Sequence, residues 1–279
     1  METRVYQKEN NLNVWKLLKA SVSDMFSSRF LATQLAVRDI KAQYRQSYLG
    51  IIWVFITPLT TAFIWIFLNS SGTIRLTDTG VPYPVYAFSG TLLWAIIKES
   101  INTPIGSTNS ARSIITKINF PKEALIVSGV FKLLFNSSVK ILLLIIFIFV
   151  YGIGFHWSLL WLPLTVLAAV VFGITIGLFL TPIGMLYRDI EKLINFTLGF
   201  LMYATPVVYA IPASGIMKTI MVWNPFTPFI LTTRDLALGL HPEYLTYYAV
   251  LLICCIPLLS LGLVFYRISI PIIVERMSA

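Results

Sequence analysis

The sequence predicts an all-α integral membrane protein: six transmembrane helices per subunit, an N-terminal amphipathic interface helix, and re-entrant helices before the last span. Three observations carry that class. Apolar residues make up 57% of the 279 positions and charged residues 12%, about half the charged share of a water-soluble domain. Uncharged stretches of bilayer length recur along the chain. Lys and Arg fall almost entirely on one side of those stretches.

Residues 1–48 are expected to stay in the cytoplasm and residues 49–279 to form the transmembrane domain. The first 28 residues hold no continuous apolar run of the kind a cleavable signal needs, so the first apolar helix is expected to act as its own insertion signal. The stretch RDIKAQYRQSYLGIIWVFITPL, Arg38–Leu59, changes character within one turn: four charges fall in Arg38–Arg45 and none in the rest. Read as a helix from Phe30 to Tyr48, Gln34, Arg38, Lys41 and Arg45 share one arc, with Phe30, Val37, Ile40, Tyr44 and Tyr48 beside it and Leu31, Leu35 and Ala42 on the other edge. A basic wedge between oily shoulders suits a helix lying among lipid headgroups, where Lys and Arg reach anionic lipid. A plain anchor has the same pattern. Ser47–Gly50 then supplies a bend into the bilayer.

Leu49–Leu68 is the first span, twenty residues without a charge across a core of about 30 Å. Val85–Ile97 gives only thirteen residues before Lys98 and Glu99. Either that helix continues through polar residues 100–107 under cover of protein, or it does not span. Ile126–Val150 contains Lys132, Asn136 and Lys140. Leu159–Leu180 is clean and holds Gly173 and Gly177, spaced for close packing within a subunit or between two. Ile194–Val208 is shorter, with Pro206 near its end, and Leu245–Tyr266 is the last span. Residues 209–244 place Pro212, Gly215, Pro225, Pro228 and Gly239 around two short apolar pieces, Ile216–Trp223 and Phe226–Leu231. Half-helices dipping back into the outer side fit, since irregular backbone at depth is tolerated inside protein; a folded extracytoplasmic cap fits as well.

With the amino terminus inside, segments 1–48, 98–125, 182–193 and 267–279 carry eight, four, two and two Lys or Arg, while 69–84, 151–158 and 209–244 carry one, none and two. Sixteen against three places both termini in the cytoplasm. It also requires the second span, without which the basic 98–125 loop would lie outside. The same asymmetry accounts for the net charge of +9 without nucleic acid. Adjacent Cys254 and Cys255 point apart on a helix and read as apolar filler, and no metal-ligand spacing appears.

The opening stretch RDIKAQYRQSYLGIIWVFITPL resembles that of ABC-2 type permeases that export polysaccharides such as O-antigen and teichoic acid. LYRDIEKLINF after the fourth span, ATPVVYAIP closing the fifth and WNPFTPFILTTRDLALG before the sixth resemble the same family. Together they cover most of the chain in the expected order. The resemblance implies a homodimer of six-helix subunits in a bacterial inner membrane, with two ABC nucleotide-binding subunits docked underneath. It implies a coupling helix in the first cytoplasmic loop, re-entrant helices before the last span, and a lipid-linked polysaccharide as cargo. An ABC-2 exporter of drugs or small lipids, a gradient-driven secondary transporter and a scaffold without transport are the alternatives.

No Gly-x-x-x-x-Gly-Lys-Ser/Thr occurs, so no cofactor of its own is expected: ATP and Mg would sit on the partner ATPase. Asp39, Asp78, Glu99, Asp189, Glu191, Asp235 and Glu243 fall near predicted ends or in loops, which weakens a gradient-driven carrier, whose carboxylates usually lie within spans. No paired carboxylates or nucleophile triad point to an enzyme. RSIITKINFPKE, Arg112–Glu123, is the expected coupling surface, its exit turn fixed by Pro121. Arg112, Lys117, Asn119, Phe120 and Pro121 are its candidate residues. Arg38, Lys41 and Arg45 on the amphipathic helix and Arg188 and Asp189 in the next inner cluster join them. A loop that only holds topology has the same charges, and the second cluster equally makes local ion pairs.

Lys132, Asn136 and Lys140 follow i, i+4, i+8 and so share one stripe of the third span, where charge faces protein or a wet cavity. Either they line a path and attract a phosphorylated, lipid-linked sugar, or Lys132 snorkels and Lys140 pairs within the bundle. Tyr83, Tyr86, Phe88 and Trp94, with Tyr203 and Tyr209, offer a sugar polymer apolar faces on which to slide, or form an interfacial belt.

Overall fold

The computed structural model describes residues 13–45, 48–50, 52–72, 80–187 and 189–278. Arg188 and the expected bend at Ser47 lie outside them. Among the described residues the regular structure is entirely helical. In chain order α1 spans Val14–Ser27, α2 Arg29–Arg45, α3 Ile52–Ser70, α4 Tyr83–Ser110, α5 Arg112–Ile115 and α6 Glu123–Val150. A 3-10 turn, Trp157–Trp161, leads into α7, Leu162–Leu186. Then come α8, Asp189–Leu201; α9, Ile216–Trp223; α10, Thr227–Leu238; and α11, Leu245–Ser278. Three described stretches are long and apolar enough to cross a membrane: Glu123–Val150, Trp157–Leu186 and Leu245–Arg276.

The doubtful second helix continues. α4 runs unbroken for 28 residues, and its polar inner half is covered by protein: Ser100, Ile101, Pro104, Ile105 and Thr108 are all buried. Its closest neighbour is α7, along a seam that small residues make possible. A Cβ on Gly173 would press on Ser100 Cβ, one on Gly177 would overlap Ile101 O, and one on Gly184 would crowd Ile105. The Gly173/Gly177 pair therefore serves packing within the subunit, letting backbones approach where no hydrophobic driving force exists between helices in lipid. On the other flank Gly129 of α6 admits Thr103 and Ser107 of α4.

Two expected boundaries change. The fifth span, expected at Ile194–Val208, is helical only as α8 and ends at Leu201. Thirteen residues rise about 20 Å, and the chain turns through residues 202–209. Pro206 has no N–H to donate and disfavours helix at the residue before it. The last helix runs well past Tyr266 to Ser278, because Ile270 and Ile273 continue its buried stripe.

The amino-terminal segment adds α1, which was not anticipated. Asn13 Oδ1 caps it, accepting from the Trp15 and Lys16 amides at 3.1 and 3.2 Å. The α2 helix forms, and the structure shows which of its residues are covered. Ala32, Leu35 and Ala36 are buried, while Phe30, Val37 and Tyr48 of the expected apolar stripe are exposed. Ala32, Leu35 and Ala36 cover the side that meets protein, and the outward Phe30 and Val37 suit an expected lipid-facing side.

The segment expected to face outward forms two short helices: α9 matches the piece read at Ile216–Trp223, and α10 extends the piece read at Phe226–Leu231 to Leu238. They differ sharply. α9 exposes Ile216, Met217, Ile220 and Trp223, whereas α10 is buried along most of its length. Phe226 and Phe229 plug α10 into the core against Phe172, at 5.2 and 4.4 Å between ring centroids. Gly239 ends it in the left-handed region at φ 74°, where any side chain would also strike the His156 ring.

Candidate functional site

At the end expected to face the cytoplasm, α5 and the loop to Lys122 form a ledge. Leu35 of α2, Ala111, Ile115 and Leu125 make one apolar cluster, with Phe120 and Val274 packed against it. The amphipathic helix, the candidate coupling loop, the base of α6 and the end of α11 thus share a core. Lys117 and Asn119 are exposed and Ile118 projects at 59% exposure. Phe120 and Pro121 are half-buried, and the Lys122 ammonium sits 4.5 Å over the Phe120 ring. Burial holds the Lys122 pKa below the usual lysine range, an effect that the neighbouring Glu123 carboxylate opposes.

Arg112 behaves differently from its loop mates. Its Nη2 donates to the Met185 carbonyl in the last turn of α7, satisfying one of the carbonyls that every helix end leaves free. Arg38, Lys41 and Arg45 are exposed on α2, Arg38 donating to its neighbour Asp39 at 2.7 and 2.9 Å. Asp189 is exposed at the start of α8 and meets Lys192 at 4.0 Å; Arg188 lies outside the described residues.

Beside the ledge is a cleft of about 740 Å³, walled by residues 115–123, Asp24, Arg267, Pro271 and Glu275. An ion cluster forms part of its wall. Arg267 pairs with Glu123 through Nη1 and with Asp24 at 2.8 Å through Nη2, and Ser21 Oγ donates to Glu123 Oε1 at 3.0 Å. Glu123 is only 3% exposed. From the adjacent position Tyr266 Oη meets Thr108 Oγ1 at 3.0 Å and donates to the Lys122 carbonyl at 3.3 Å. Sequence reasoning had no signal for this cluster, because its members lie up to 246 positions apart.

Deeper in the bundle, Glu99 of α4 accepts from Lys140 Nζ and, at 2.6 Å, from Asn136 Nδ2. Glu99 lies well inside a helix, not near an end as expected. Of the three-residue stripe, Lys140 and Asn136 are therefore spent on an internal pair. Lys132 instead lines a polar cleft of about 540 Å³ between α2, α4, α6 and α8, with Asp39, Asn102, Glu99 and Glu191 around it. Asn102 Nδ2 of α4 approaches Asn195 Oδ1 of α8 at 3.4 Å across the same region.

The candidate aromatic residues separate into three groups. Phe88 and Trp94 are in the core, Phe88 against Phe147 at 4.4 Å and Trp94 against Phe226 at 5.5 Å. Tyr203 and Tyr209 gather around Trp65 of α3, at 6.3 and 6.5 Å, with Tyr203 exposed. Tyr83 and Tyr86 reach across from α4 to the turn that follows α8. Tyr83 Oη donates to the Val208 carbonyl at 3.0 Å and Tyr86 Oη to that of Tyr209 at 3.3 Å. In the same turn Asn224 Nδ2 takes the Ala204 carbonyl at 2.8 Å, and Arg234 of α10 takes those of Pro206 and Val207. Arg234 is fully buried; in the sequence it stands only within the motif WNPFTPFILTTRDLALG, with no further signal of that burial.

The chain is similar to proteins of one known family. The family described as ABC-2 type transporter matches residues 31–238. The O-antigen export system permease protein RfbA of Myxococcus xanthus is 27% identical over 221 residues, covering 79% of this chain and 78% of its own. A permease of the same name from Klebsiella pneumoniae is 27% identical over 216 residues, covering 75% of this chain and 81% of its own. A second such protein from that organism matches to the same extent.

Proposed function

We propose, from the fact that the chain belongs to the ABC-2 type transporter family and is a membrane permease, that its cargo is a lipid-linked polysaccharide moved out of the cytoplasm by ATP hydrolysed on separate ABC subunits. The observation that carries the cargo is the set of relatives named as O-antigen export permeases, each aligned over three quarters or more of this chain. The lack of a phosphate-cradling Gly-x-x-x-x-Gly-Lys-Ser/Thr motif supports a borrowed ATPase.

The ATPases push on the ledge formed by Lys117, Asn119, Phe120 and Pro121 and on the basic face of α2. The shared apolar cluster at Leu35, Ala111, Ile115 and Leu125 favours this reading, because a push on the loop moves α2 and the base of α6 together. Arg267, joined to α1 and α6, passes the displacement to α11. Six crossings follow if α3, α4, α6, α7 and α11 each span and α8 is completed by residues 202–209. Irregular backbone is tolerated at depth where protein satisfies its polar groups, and side chains do so here. The buried α10 is the re-entrant element, and two copies complete the path on the face where Trp65, Tyr203 and Tyr209 meet. Apolar ring faces without a dense set of donors let a polymer slide. Lys132 stands at the inner mouth, in the cleft with Asn102. Both termini are cytoplasmic, and the membrane is the bacterial inner membrane.

Deletion of the gene with plasmid complementation tests the cargo. Surface polysaccharide is lost and its lipid-linked precursor accumulates inside; a normal polysaccharide coat with lost drug resistance would overturn the proposal. Purified with its ATPase, the complex should hydrolyse ATP faster when given the lipid-linked polymer.

A further inference from the structure

A fully buried guanidinium is costly unless it is paired, and none of the ion pairs formed among the described residues includes Arg234. Its charge is met in another way. Nη1 donates to the Pro206 carbonyl at 3.0 Å and Nη2 to that of Val207, while the guanidinium carbon lies 3.8 Å from the centre of the Tyr86 ring. Backbone carbonyls and a π face take the place of a carboxylate for these two nitrogens, while Nε has no hydrogen-bond partner among the described residues. The site is built to receive this group: a Cβ on Gly90 of α4 would overlap both Val207 O and Arg234 Nη2. The neighbouring carbonyls of Ala204, Val208 and Tyr209 are held by Asn224, Tyr83 and Tyr86, and Val207 and Val208 are buried.

We propose that Arg234 is a positioning residue: a tethered cation that clamps the non-helical backbone 204–209 onto α4 and α10, so that the three move as one body and keep the outer end of the permease sealed between transport cycles. Where unwound helices in other carriers offer their carbonyls to a mobile ion, this chain supplies its own cation from α10. The sealing half rests on the reading of the chain as an exporter; the clamp itself does not.

Hydrogen exchange on the full chain in lipid nanodiscs tests the clamp, and dye release from phosphatidylethanolamine–phosphatidylglycerol vesicles tests the seal. In Arg234→Met and Gly90→Ala the amides of 202–209 exchange about tenfold faster or more, as loss of a charge-assisted bond predicts, while those of 162–186 keep their protection and both variants leak trapped dye. Tyr86→Phe keeps the ring face and loses only the 3.3 Å bond to the Tyr209 carbonyl, so its exchange lies between that of the parent and that of Arg234→Met. In Arg234→Ala, millimolar guanidinium restores protection of 202–209 and methylammonium at the same concentration does not, a difference that a general folding role would not produce. Gly90→Ala retains the arginine, so the test survives if the Arg234 variants do not fold. Unchanged exchange in both variants, or equal acceleration in 162–186, overturns the clamp; local acceleration without dye release overturns the seal. Failure of the polysaccharide reading would appear only in the deletion strain and would leave the exchange result unchanged.

Discussion

Arg267 Nη2 lies 2.8 Å from Asp24 Oδ2, which ties α11 to α1. The other side of the same guanidinium pairs with Glu123 at the base of α6, so one side chain joins three helices beside the candidate coupling ledge. Glu123→Gln leaves a charge short of its partner in a site where the carboxylate is 3% exposed. The expected loss is about 3 kcal/mol, the order found when one member of a buried pair is removed. Asp24→Asn, at a more open position, should cost under about 1 kcal/mol. Thermal unfolding of the two variants in detergent measures the difference.

Lys140 and Lys132 should separate cleanly. Lys140→Met strands Glu99 inside the bundle, whereas Lys132→Met removes a charge from an open cleft. The first is expected to lower stability, and Glu99→Gln in the same chain to recover part of the loss, with a coupling of about 1–3 kcal/mol. If Lys132 attracts cargo, its variant keeps the parent's unfolding midpoint and loses polymer-stimulated ATP hydrolysis.

Gly177→Ala should destabilise the subunit by about 1–3 kcal/mol, the usual cost of overpacking, because its Cβ would overlap Ile101 O of the same chain. Cross-linking between copies should be unaffected, since this seam faces inward.

Within residues 112–121 the roles divide. Arg112→Ala uncovers the Met185 carbonyl and should lower the unfolding midpoint. Lys117→Ala and Asn119→Ala should leave the midpoint unchanged and uncouple ATP hydrolysis from the polymer. Phe120→Ala should do some of each, because its ring sits between the cluster around Leu35 and the Lys122 ammonium.

The long helices were legible from the sequence because apolar length and charge placement are properties of single segments. The small helices α9 and α10 announced themselves through Pro and Gly spacing. Contacts between remote segments were not legible. Glu99 looked terminal only because apolar content fell after Ile97; the covering of α4 by α6 and α7 lets the helix continue through polar residues to Ser110. The sequence shows α2 as a basic wedge between two apolar edges but leaves open which edge meets protein, since helical periodicity does not say which oily edge is covered; in the structure Leu35, with Ala32 and Ala36, is buried, and Phe30 and Val37 are exposed. Tyr83 and Tyr86 were singled out as rings, yet in this structure their hydroxyls hold the turn after α8. Arg234 had no sequence signal beyond its motif, for its partners are backbone carbonyls, which every residue has.

The most direct test of the account is the sidedness of residues 118 and 216. Both are exposed isoleucines, one on the candidate coupling ledge and the other at the start of α9. With Cys254 and Cys255 replaced by alanine, Ile118→Cys and Ile216→Cys are treated in intact cells with a membrane-impermeant maleimide. The account predicts labelling at 216 alone, and labelling at 118 alone in inside-out vesicles. Labelling at 118 in intact cells would put the ledge beyond the reach of any cytoplasmic ATPase and would contradict the account.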